Sequence, residues 1–83
     1  METGERLAVP ERVIVAPASG RFRPTTEGPG DGALDAEQVI GFVDGVGHST
    51  PVRSPFRGFL MGLMAHTGER VREGQPVAWL RTA

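Results

Sequence analysis

The chain repeats itself once. Ala16-Pro17-Ala18-Ser19-Gly20-Arg21-Phe22 is matched 38 positions later by Ser54-Pro55-Phe56-Arg57-Gly58-Phe59-Leu60, both reading small-Pro-x-x-Gly-x-apolar. Ala36-Glu37-Gln38-Val39-Ile40-Gly41-Phe42-Val43 is matched 37 positions later by Glu73-Gly74-Gln75-Pro76-Val77-Ala78-Trp79-Leu80. Between these blocks, Gly30-Asp31-Gly32-Ala33-Leu34 falls opposite Thr67-Gly68-Glu69-Arg70-Val71. A one-residue difference in loop length reconciles the two spacings. Two copies are too few for a stacked solenoid, which needs about three. Each copy is also no longer than the ~40 residues below which a core seldom stands alone. The halves must therefore share one core, related by an approximate two-fold axis.

The strand content follows from what punctuates the repeat. Twelve glycines and seven prolines in 83 residues interrupt the chain every few positions, as short strands joined by tight turns require. One all-β domain is the expectation. With no cysteine, neither a disulfide nor a thiolate metal site supplements its thin core. All nine basic residues are arginine, and ten acidic residues offset them to a formal charge of -1. That balance gives no footprint for nucleic acid or an anionic membrane. No apolar run approaches the roughly 20 residues that span a bilayer. Glu2, Glu5 and Arg6 are followed by no apolar stretch of signal-peptide type, so a soluble, cytoplasmic protein is expected.

A loose arm is expected over residues 1–10, ahead of a domain over 11–83. Strands are expected over Arg12–Ala16, Arg21–Arg23, Gln38–Val43, Pro51–Ser54, Gly58–Ala65, Arg70–Arg72 and Pro76–Arg81, with a loop over Thr25–Asp35 and a connection over Asp44–Thr50. Phe59 to Met64 also carries apolar residues at helical spacing. Gly58 and Gly62 would each cost a helix roughly 1 kcal/mol. The matching segment Arg21-Phe22-Arg23-Pro24 cannot run into a helix interior either, so the strand is preferred.

This doubled pattern resembles the biotinyl/lipoyl carrier family, in particular biotin carboxyl carrier proteins. Their signature is apolar-x-(Ala/Ser)-Pro-x-x-Gly, then Gly-(Asp/Glu)-x-Val-x-x-Gly-Gln, then an apolar strand. The second copy carries it as Val52-Arg53-Ser54-Pro55-Phe56-Arg57-Gly58, Gly68-Glu69-Arg70-Val71-Arg72-Glu73-Gly74-Gln75 and Pro76-Val77-Ala78-Trp79-Leu80; the first carries it from Val15 to Gly20 and from Ala36 to Gly41. The resemblance covers about Val13 to Leu80 and implies a barrel-sandwich hybrid, a flattened β-barrel of two pseudo-symmetric halves. It also implies an exposed lysine on the hairpin between the halves. Here that stretch is Asp44-Gly45-Val46-Gly47-His48, with Gly47 at the lysine position and no lysine anywhere in the chain. Arginine stays protonated and is a poor amine nucleophile, so no cofactor is expected on a side-chain amine. The run from Gly47 to Arg81 also resembles lysine-free tail domains of this fold on molybdenum-hydroxylase-associated proteins.

His48 at the hairpin is a candidate ligand or base, but only His66 could join it and no carboxylate stands at metal-ligand spacing, so neither a metal nor a catalytic site is expected. Gly45 and Gly47 read as turn residues; a phosphate cradle would need a helix after them. Phe59, Met61 and Leu63 alternate along one strand and form a candidate partner surface, unless the arm or a loop covers them. Trp79 and its mate Phe42 read as core aromatics. Arg53, Arg57, Arg70 and Arg72 either gather around an anionic partner or form a mixed solvated surface with Glu69 and Glu73. Ser19, Ser49 and Ser54 have no evident triad, which argues against an enzyme.

The expected function is a non-acylated interaction or assembly module with a protein partner, in an acyl-CoA carboxylase-type complex. The alternative is a small-ligand-binding domain using the central hairpin or the groove between half-barrels. A homodimer is compatible with either reading.

Overall fold

The structure is a computed structural model that describes residues 11–25 and 32–82. β-branched and aromatic residues between its turns form eight strands there, with no helix among the described residues. They are β1 (Glu11–Val15), β2 (Gly20–Pro24), β3 (Ala33–Leu34), β4 (Val39–Gly45), β5 (His48–Arg53), β6 (Gly58–Leu63), β7 (Arg70–Val71) and β8 (Pro76–Thr82). One antiparallel sheet has the order β1-β8-β6-β3 and will be called sheet A; sheet B has the order β5-β4-β2-β7. Exchanging β1 with β5, β2 with β6, β3 with β7 and β4 with β8 turns one order into the other. Each sheet thus takes strands from both halves. This is the interlocked barrel-sandwich hybrid that the repeat requires.

The two-fold relation extends to single hydrogen bonds. Ala16 N–H donates to Gln75 O at 2.8 Å, and its mate Ser54 N–H donates to Gln38 O at 2.9 Å. Phe22 N–H donates to Glu69 O at 2.9 Å, and Leu60 N–H to Gly32 O at 2.8 Å. The pairing of β1 with β8 shifts register between Ile14 and Val15, and that of β4 with β5 between Val39 and Gly41. The residues thrown out of step, Val77 and Ile40, are mates, and both are buried. Such bulges bend a strand and increase its twist, which lets each sheet curl over the shared centre.

That centre joins mates from both halves: Ile14 with Val52, Leu34 with Val71, Ile40 with Val77, and Val43 with Leu80, all buried. Phe22 is fully buried, whereas its mate Leu60 is only partly so. Ser54 takes the place of Ala16. It is the buried polar residue among those described, and its Oγ donates to Phe56 O at 2.6 Å. A paired hydroxyl of this kind costs the core little. Gly20 and Gly58 mark the closest backbone approaches: a Cβ on either would collide with a carbonyl oxygen, that of Asp44 or of Arg81. This accounts for the glycine in each Pro-x-x-Gly block.

Several boundaries differ from the sequence expectation. The connection expected over Asp44–Thr50 shrinks to Val46 and Gly47, because β4 and β5 pair as far as Gly45 with His48. The loop expected over Thr25–Asp35 ends in β3, and its residues 26–31 lie outside those described. The arm expected over residues 1–10 also lies outside them. Segment 59–64 is no helix: β6 pairs with both β8 and β3. Trp79 and Phe42 are not core residues. Each lies between buried neighbours and faces outward, as strand alternation requires.

Candidate functional site

Three features of the surface have chemical content: the hairpin tip, the outer face of sheet A and the outer face of sheet B.

The hairpin closes on two residues. Gly47 has φ +78°, the left-handed value glycine tolerates, and nothing stands within 4 Å of where its Cβ would be. Val46 beside it is fully exposed. Gly45 has no positive φ; it is flat because the His48 imidazole lies against it, where a Cβ would collide. His48 Nδ1 is 3.0 Å from Thr50 Oγ1. The hairpin residues Asp44 to His48 therefore form a narrow tip, closed by the two residues Val46 and Gly47. His66 belongs to a different turn, in which its N–H donates to Glu69 Oε1 at 2.8 Å. No group of three His, Cys, Asp or Glu side chains able to hold a metal occurs among the described residues.

On the outer face of sheet B, charge is neutralised locally. Arg23 Nε donates to Asp44 Oδ2 at 2.8 Å, and Ser49 Oγ donates to Asp44 Oδ1 at 2.6 Å. The Arg23 guanidinium also sits 4.7 Å from the centroid of the Phe42 ring. The Arg23 hydrogen bond, then that of Ser49, holds the Asp44 carboxyl down at about 2. Ser49 is thus committed to a carboxylate, Ser54 to Phe56 O, and Ser19 Oγ accepts the N–H of Glu73 at 3.1 Å. Among the described residues, none of the three serines is hydrogen-bonded to a histidine.

Toward the other edge of sheet B no ion pair forms among the described residues. β2 and β7 are in register with Arg21 directly opposite Arg70. Arg72 follows buried Val71 just beyond the end of β7 and is exposed, as Arg70 is. Together with Ser19 and His48 these arginines line an open cleft of about 590 Å³ beside the hairpin. Arg53 and Arg57 do not join them. Arg53 donates to Glu37 O at 3.0 Å, and Arg57 lines a separate depression with Leu34 and Phe59.

The outer face of sheet A is largely apolar, with the Glu11–Arg81 pair at one end. Phe59, Met61 and Leu63 are exposed by 48%, 43% and 47%, but they do not form one row. A register shift between Leu60 and Gly62 throws Met61 out of the ladder, so Leu63 lies opposite buried Ala78. Met64 comes instead to the outer face, where it and Val13 border Trp79 over a shallow depression of about 560 Å³. The Trp79 ring lies against Gly62. The bulge that brings Met64 beside Trp79 leaves no compositional signal in the sequence, whereas Val13 reaches the same face by simple alternation with buried Ile14. The β2–β7 register that opposes Arg21 to Arg70 was equally hidden, since it joins segments 49 residues apart.

No protein-family model matches the chain, and no curated protein matches it by sequence. Among solved structures, the crystal structure of the Kluyveromyces lactis urea carboxylase superposes with a TM-score of 0.73 at 18% sequence identity. The match covers 96% of this chain and 7% of the length of that enzyme. At that identity the likeness shows the fold alone.

Proposed function

We propose that the chain is a non-acylated relative of biotinyl/lipoyl carrier domains, acting as an interaction or assembly module within a carboxylase-type complex. The observation that carries this reading is the group of exposed apolar side chains on sheet A, Val13, Trp79, Phe59, Met61 and Met64, where the two-fold related face carries mostly charged ones. Exposed apolar side chains gathered on one face are the usual mark of a protein contact, and Met61 and Met64 suit an adaptable one. The absence of lysine removes the amine that biotin or lipoate attachment needs. The fold likeness to a small part of urea carboxylase supports the carboxylase context.

Capture of the tagged chain from its native cell, with Phe59→Asp/Met64→Asp as the control, tests this reading. Carboxylase-type subunits retained by the native chain and lost by the control are the expected result. Recovery of the native chain alone, as a monomer, counts against the module. A prosthetic group found on the native protein by mass spectrometry would remove the non-acylated part. The second reading, a small-ligand domain, is favoured by one observation, the arginine-lined cleft beside the hairpin.

A further inference from the structure

We infer that the cleft lined by Arg21, Arg70 and Arg72 is an anion site that takes the phosphate group of a small molecule. This is independent of the partner proposed for sheet A. Like charges directly opposite on neighbouring strands destabilise a sheet, yet Arg21 and Arg70 occupy such a pair. The fold does not demand it. Their two-fold mates are Phe59 and Ala33, which also face each other across a strand pair and carry no charge.

Nor do the described residues relieve the repulsion locally. Arg23 is neutralised by Asp44, and Arg81 Nε stands 3.7 Å from Glu11 Oε2. Among the described residues, no carboxylate comes within ion-pair distance of Arg21, Arg70 or Arg72. Arg21 is nevertheless held in place, since its Nη1 donates to Gly68 O at 3.0 Å. Its remaining donors are left for a ligand.

The cleft supplies more than charge. Ser19 Oγ accepts from Glu73 N–H, which leaves the hydroxyl proton free to be donated. His48 stands on the hairpin wall. Asp44 also borders the space, but Arg23 and Ser49 engage both of its oxygens. Forked guanidinium donors from three arginines suit a group with several anionic oxygens better than a single carboxylate. The volume of about 590 Å³ is enough to admit a small molecule.

Inorganic pyrophosphate is the probe, titrated into the ¹⁵N-labelled chain at constant ionic strength, with citrate and hexaglutamate in parallel. The expected result is saturable amide shifts at Gly20, Arg21, Arg70 and Val71, with pyrophosphate binding more tightly than either polycarboxylate. Arg70→Gln should weaken pyrophosphate roughly tenfold, the loss of one charge-assisted contact. In phosphate-free buffer the same variant should match or exceed the native denaturation midpoint, because a repulsion has been removed. Arg57→Gln, outside the cleft, should bind pyrophosphate as the native chain does. Shifts that fail to saturate, or an affinity unchanged in Arg70→Gln, would overturn the site. Tighter binding of citrate or hexaglutamate would overturn the phosphate assignment.

Discussion

The two sheets match on the inside and diverge on the outside. Facing the core, Val43 answers Leu80 and Ile14 answers Val52, all buried. Facing outward, Phe42 answers Trp79, Asp44 answers Arg81, and Arg21 answers Phe59. Sheet B carries an ion-paired patch under Arg23 and a bare arginine cleft, whereas sheet A carries exposed Val13, Phe59, Met61 and Met64. The scaffold constrains one surface of each strand and leaves the other open. Function is therefore to be sought where the mates disagree, since the fold explains only what they share.

That comparison breaks most visibly at the core. Phe22→Ala should cost about 3–5 kcal/mol, enough to threaten the fold of so small a domain. Leu60→Ala, at the half-buried mate, should cost about 2 kcal/mol. Urea denaturation of the two variants measures the difference, and equal losses would deny that Phe22 is the more deeply packed of the two mates. A smaller effect sharpens the match in the turns. Gln38 N–H bonds to Asp35 O and Gln75 N–H to Arg72 O, closing two equivalent turns. Their third residues are Glu37 at φ +71° and Gly74 at φ +88°. Only glycine adopts that conformation without steric cost. Glu37→Gly should therefore raise stability by about 0.5 kcal/mol, the relief of strain exceeding the added chain entropy. A lower denaturation midpoint would reverse that reading.

On the outer faces the effects are smaller still. The folded-state pKa of Asp44, about 2, lies below the ~3.9 of an unfolded aspartate. Its contribution is thus present above pH ~4 and lost as pH falls toward 2. Asp44→Asn should abolish that share of the acid-induced fall in denaturation midpoint, leaving a shallower profile between about pH 4 and 2. Identical acid profiles would show that the Arg23–Asp44 pair adds no stability. Phe59→Ser on sheet A should change stability by no more than about 0.5 kcal/mol. A large loss there would mean that the residue serves the fold, and the surface would no longer mark a partner.

The sequence displayed most of the inner surface because the same physical demands act twice. Each half needs a glycine where backbones nearly touch, at Gly20 and Gly58. Each also needs a glutamine whose side chain accepts a turn N–H: Gln38 takes that of Asp35 at 2.9 Å and Gln75 that of Arg72 at 3.1 Å. Such demands leave residue types at fixed spacing. The outer surface depends instead on register, which composition does not record. The Met61 bulge breaks the ladder that the even spacing of Phe59, Met61 and Leu63 implies, although all three side chains are exposed, and strand alternation moves Trp79 and Phe42 out of the expected core. Of the two arrangements open to Arg53, Arg57, Arg70 and Arg72, a single cluster does not form, since Arg53 and Arg57 lie apart from the cleft. Arg21, which no local pattern singled out, came to stand beside Arg70.

β4 and β5 meet at Gly45 and His48 and are bridged by Val46 and Gly47, while β8 and β1 run side by side with Arg81 opposite Glu11. The second juncture repeats the first, except that no peptide crosses it. A short splice from Thr82 to Glu11 would make the backbone a closed ring, and opening that ring between Val46 and Gly47 would give a circular permutant beginning at β5. Both sheets would keep their strand order. The molecule has, in this sense, two interchangeable places at which to start.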